Sequence, residues 1–126
     1  MLNIYDNEII SYNVNLKNNT ININTLSEKG QNITIIFSGV LSHMFENHLS
    51  GSIIFEIGKY ELSQFFDDNR DLLEQQKDYC WPIEYIEIKE LEEKLIKQQY
   101  IYYVISASYG LNGWVLAKKY ELLSSN

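Results

Sequence analysis

Two greasy runs set close together, residues 33–45 and 53–57, most constrain what this chain can fold into. Ile33, Ile35, Ile36 and Phe37 open the first, Val40, Leu41, Met44 and Phe45 continue it, and Ile53, Ile54, Phe55 and Ile57 make the second. Runs of β-branched and aromatic residues separated by Asn47, Ser50 and Gly51 predict two strands that return antiparallel to one another. So much apolar surface leaves little face for water, which places both inside a sheet. Gly39 interrupts the first run. A glycine within a strand predicts a bulge, a bend or a close backbone approach, and it leaves the direction of His43 open.

Period-two patterning also governs the start. Ile10, Tyr12, Val14 and Leu16 alternate with Ser11, Asn13, Asn15 and Lys17, the pattern of a half-buried strand. Asn18-Asn19 suits a two-residue turn, because Asn tolerates positive φ, and Ile21 and Ile23 lead back. Outward asparagines form strands poorly, so this hairpin is expected at a sheet edge. Gly30 suits the next turn.

After Gly58 the period becomes helical. Leu62, Phe65, Phe66, Leu72 and Leu73 share one side, with Ser63 as a candidate cap and Asp67-Asp68-Asn69 as a point where the helix divides. Pro82 ends the segment. Residues 83–88 alternate only loosely. A clearer helix follows over residues 89–99, burying Leu91, Leu95 and Ile96, with Glu90–Lys94 and Glu93–Lys97 pairs on its outer side. Residues 100–109 are apolar on both faces and read as an interior strand. Gly110-Leu111-Asn112-Gly113 is a turn, residues 114–120 return as the last strand, and residues 124–126 read as a frayed tail. The whole predicts an α+β fold in a single domain, 1–126: a mostly antiparallel sheet of about six strands with one to three helices packed on one face.

The formal net charge is −7. Such a chain is repelled by nucleic-acid backbones and anionic membranes, and Lys118-Lys119 is the only adjacent basic pair. No run approaches the roughly 18 apolar residues of a membrane span. The first residues lack the basic start and apolar centre of a secretory leader, so a cytoplasmic location is the expectation. The single Cys80 cannot close an internal disulfide, which agrees with a reducing compartment.

Few residues suggest chemistry. Asp67-Asp68-Asn69-Arg70-Asp71 resembles the opening of a calcium loop. The glycine required at the sixth position is Leu72, and the twelfth is Asp78. His43 and His48 flank Glu46 without a familiar zinc spacing. Cys80 with either histidine would be a nucleophile and base, although a lone cysteine is more often a small apolar filler. A glycine-rich phosphate loop and a G-x-S-x-G turn are both missing. No catalytic residue, metal ligand or cofactor is therefore assigned, and an enzyme is disfavoured. Ten tyrosines and two tryptophans remain. Tyr and Trp are enriched at protein interfaces, which makes Tyr109, Trp114 and Tyr120, with the acidic Asp67 and Asp68, the candidate partner contacts. The competing account is that these rings pack under the helices.

Residues Phe37-Ser38-Gly39-Val40 and Phe45-Glu46-Asn47, with Tyr109-Gly110-Leu111-Asn112-Gly113-Trp114-Val115, resemble stretches of small cytoplasmic proteins of Gram-positive bacteria, among them immunity-like proteins of polymorphic toxin systems. The resemblance covers the two hairpins and carries no catalytic motif. It implies a protein that neutralises a toxin domain by covering its active surface, and an acidic chain suits a basic nuclease partner. Two other readings stand beside it. One is a small metal-dependent or small-molecule-binding enzyme using His43, His48 and nearby carboxylates. The other is homo-oligomerisation through the hairpin at residues 10–23.

Overall fold

The computed structural model describes residues 2–124. Its strands are β1 (Glu8–Asn15), β2 (Thr20–Leu26), β3 (Asn32–Ser38), β4 (Ser42–Glu46) and β5 (Ile53–Tyr60), then β6 (Ile101–Tyr109), β7 (Asn112–Ala117) and β8 (Lys119–Ser124). Between β5 and β6 lie α1 (Leu62–Asp68), α2 (Arg70–Gln76), a 3-10 turn (Lys77–Tyr79) and α3 (Ile88–Lys97). All pairings are antiparallel, in the order β4-β7-β6-β5-β1-β2-β3-β8. The fold is α+β as expected, but the sheet has eight strands, not about six. The two additional strands arise because two long expected strands each break once, at Gly39 and at Lys118.

Those breaks face each other. Gly39 has φ +65°, and a Cβ there would lie 2.8 Å from Cγ of Lys118. Only glycine meets both demands at low cost. Pairing resumes on either side: the Lys118 N–H donates to the Ser38 carbonyl (3.1 Å) and the Leu41 N–H to the Leu116 carbonyl (2.8 Å). The strands that end the order, β4 and β8, are thus continuations of β3 and β7. One half of the sheet, β1-β2-β3-β8, passes into the other, β4-β7-β6-β5, through two bent strands, the manner in which crossed sheets turn corners. On the far side β1 meets β5, with the Asp6 N–H on the Ile54 carbonyl, Ile54 on Asn7 and Ile9 on Ser52. The sheet closes on itself.

Alternation decides what the closure encloses. Ile21, Ile23, Ile33, Ile35, Phe37, Ile54 and Val115 turn inward and are buried. Tyr103 crosses the interior to meet Phe37 at 5.6 Å and Tyr120 at 5.2 Å between ring centroids. Burial, then the neighbouring Tyr120 hydroxyl, raises the Tyr103 phenol above its ordinary pKa. The opposite residues of the same strands, Tyr102, Trp114 and Leu116, turn outward under Phe65, Leu73, Leu91 and Leu95 of the three helices. Burying each of those leucines is worth about 1.5–3 kcal/mol, whereas the Glu90–Lys94 pair is solvated and adds little.

Several expectations are corrected. The β1–β2 hairpin lies mid-order, not at an end of the sheet, and residues 16–19 make its turn, with the Asn15 carboxamide accepting from the Lys17 and Asn18 N–H groups. The runs at 33–45 and 53–57 do not pair: β4 joins β7 and β5 joins β6. Asn47 (φ 59°) and Gly51 (φ 81°) carry the chain across instead. After Gly39 the inward positions resume at His43 and Phe45, while Val40 turns toward the interior and Leu41 toward the helices, the reverse of simple alternation. Helix α1 is preceded by Glu61 without a side-chain cap, so Ser63 does not serve. Ile96 is exposed and Ile88 takes its place in the buried stripe. Glu93 and Lys97 form no ion pair among the described residues. Residues 125 and 126 of the expected tail lie outside the described residues, and Ser124 ends β8.

Candidate interaction surface

The helices cover only part of the outer face of β6 and β7. Phe65 and Phe66 pull the end of α1 onto the sheet, which turns Asp67 and Asp68 outward. Asn69 stops the helix, its backbone N–H and its side chain both donating to the Phe65 carbonyl at 3.0 Å. Asp68 is anchored, accepting from the Tyr102 hydroxyl (2.9 Å) and the Gln64 amide (2.7 Å). Burial, reinforced by the Asp68 carboxylate, holds Tyr102 un-ionised far above the usual phenol range. Asp67 is exposed beside Arg70, whose guanidinium lies 3.8 Å away in a solvated pair of little energetic weight.

Two shallow grooves meet on this face. One, of about 510 Å³, runs from Met44 and Glu46 past Asp67, Asp68 and Asp71. The other, of about 490 Å³, runs from Glu46 along Ser106 and Ser108 to Tyr109. Glu46 belongs to both, so the surface passes from an acidic end to an aromatic one. Tyr109 is 54% exposed. Its register partner Ile53 continues the surface toward Phe55, whose ring lies 5.3 Å from that of Tyr5.

A separate cleft of about 450 Å³ opens where β1 and β5 part. An extra residue, Ile10, bulges β1 there, and the pairing with β5 does not continue past Ile9. Bulges of this kind bend a strand away from its neighbour. The cleft is bordered by Ile10, Tyr12, Leu49 and Leu111, and the Tyr12 hydroxyl sits 2.8 Å from Nε2 of His48.

Of the five candidate contacts, Asp67, Asp68 and Tyr109 lie on the grooved face. Trp114 is buried under the helices, edge-on to Phe65, and Tyr120 packs against Phe37 and Tyr103. Both rings serve the core. His43 points inward beside Phe45, and burial lowers its pKa. The Tyr12–Phe45 ring pair separates it from His48, while Glu46 lies on the outer grooves. Cys80 is exposed after the 3-10 turn, with no hydrogen bond to either histidine among the described residues. The calcium-loop residues are divided between α1 and α2, and among the described residues no group of three His, Cys, Asp or Glu converges on a metal-sized site. Sequence reasoning missed the position of Glu46 between the two grooves, flagging it only as a neighbour of the histidines, and it missed the cleft. Leu16, expected as the last inward residue of the first strand, instead opens the turn and is exposed.

No protein-family model matches the chain, and no curated protein matches it in sequence.

Proposed function

We propose that the protein is a non-enzymatic binding module that covers a basic protein domain, as an immunity protein covers a toxin. The supporting observation is the pair of grooves joined at Glu46, which sets the carboxylates of Asp67, Asp68 and Asp71 at one end and the exposed Tyr109 ring at the other. Complementary charge speeds docking and fixes its register, and an aromatic anchor supplies contact area with a polar tip. The net charge of −7 favours a cationic partner over an anionic one. The test is retention of cellular proteins on the immobilised wild type and on a D67N/D68N/D71N/Y109A variant. A basic protein held by the wild type, released by salt and lost from a folded variant supports the reading. Retention indifferent to the four substitutions, or none, overturns it.

A second reading, a small-molecule site, is favoured by the Tyr12–His48 pair at the cleft. A small ligand that shifts the His48 ring resonances of the wild type and is lost in Tyr12→Phe would support it.

A further inference from the structure

We propose that two copies of this chain pair through β1, each inserting Leu16 into the other's cleft. Past Ile9, no strand pairs with β1 on the side away from β2, so Ile10 to Asn15 present an edge among the described residues. An open edge is a template for another strand unless charge, proline or a covering element blocks it. Residues 9–16 carry no charge and no proline, in a chain of net charge −7. Two acidic molecules meet without direct charge repulsion along this segment.

The edge holds both a projection and a receptacle. Leu16 is 82% exposed, the most exposed of the large apolar residues described. The cleft offers about 450 Å³ between the apolar side chains of Ile10, Leu49 and Leu111, with Glu8, His48 and Ser50 also on its lining. Antiparallel self-pairing must keep Tyr12 and Val14, both packed toward the interior, on the same face in both copies. Among registers that do so, the one centred on Asn13 sets Tyr12 against Val14 and Ser11 against Asn15, and carries Leu16, the first residue of the turn, alongside the other copy's bulged Ile10. The turn that follows carries Lys17 toward the other copy's Glu8, so opposite charges meet at each end. The contact is isologous and closes as a two-fold dimer, and each cleft is completed only by the other copy's leucine.

The test is the molar mass of the full chain in solution by light scattering from micromolar to millimolar concentration. A dimer is expected for the wild type. Leu16→Glu and Asn13→Lys, the latter placing like charges face to face at the axis, are expected to be monomers with unchanged circular dichroism. In a Cys80→Ser background, Asn13→Cys is expected to oxidise to a linked dimer and Asn24→Cys, on β2, is not. A wild type that stays monomeric, or a dimer indifferent to Leu16→Glu and Asn13→Lys, overturns the proposal. So does a dimer that Asn13→Cys fails to link. Because Asp67, Asp68, Asp71 and Tyr109 do not line this cleft, capture of a basic partner is expected to survive Leu16→Glu.

Discussion

The sheet closes in two places, and they are built from different materials. At the corner, β3 continues into β4 and β7 into β8, so chain connectivity itself holds the halves together, with Gly39 against Lys118 and the rings of Phe37, Tyr103 and Tyr120 packed beneath. At the seam, residues 6–9 meet residues 52–54 through backbone hydrogen bonds. Buried polar side chains brace them. The Asn7 amide donates to the Thr25 hydroxyl (3.1 Å), which donates to the Ile33 carbonyl (2.7 Å). The Ser52 hydroxyl donates to the Leu49 carbonyl (2.6 Å) and accepts from the Leu111 N–H (2.9 Å). Apolar packing tolerates small shifts, while a buried hydrogen-bond network costs the full desolvation of any group left unpaired. The corner is therefore expected to set global stability and the seam to open locally.

The largest effect expected is at the corner. Phe37→Ala removes a fully buried ring and should cost about 3–5 kcal/mol by urea unfolding. A loss comparable to a surface substitution would erase the contrast. Gly113→Ala comes next. A Cβ there would meet the Met44 carbonyl oxygen at 2.0 Å and Cα of Phe45 at 2.9 Å, so the β4–β7 ladder must separate. A destabilisation of about 1–3 kcal/mol is expected in the same assay, with no change at the seam amides.

At the seam, Ser52→Ala orphans the buried Leu111 N–H and should cost ~1–3 kcal/mol. Asn7→Ala should cost about 1 kcal/mol, and its sharper signature is local. Hydrogen exchange of the Ile9 and Ile54 amides should accelerate while the Leu41 and Lys118 amides at the corner keep their protection. Equal acceleration at both places would show a single cooperative unit.

The smallest effect concerns pH. Burial lowers the His43 pKa, so below the ordinary histidine value the unfolded chain binds a proton that the folded chain refuses. The associated stability is full above that value and is lost as pH falls from it through the lowered value of the folded chain. His43→Gln should thus lose less stability between pH 7 and 5 than the wild type in parallel thermal melts. Identical slopes would place the imidazole in water.

The interior was legible because strand alternation is a local property. Ile21, Ile23, Ile33, Ile35 and Phe37 stand where their spacing put them. Gly39 announced a break, but Lys118 gave no signal, since a lysine beside a bend looks like any surface lysine. Strand order was not legible. That β4 seeks β7 and β5 seeks β6 depends on pairings distant in the chain, which short loops do not encode. The acidic part of the candidate surface followed from the run at Asp67 to Asp71. That Trp114 is buried and Tyr120 partly so was not legible, because an aromatic ring suits a core and an interface equally, and tertiary packing decides between them.

The pairing of Ser38 with Lys119 across the corner has a consequence for synthesis. While the ribosome is still making the helices, β3 has emerged with the edge that β8 will occupy bare. The nascent chain must keep Ile33, Ile35 and Phe37 from foreign strands until its last strand arrives. Chaperone dependence during translation would then come from that wait, and a circular permutant that brings residues 119–124 ahead of β3 should shorten it.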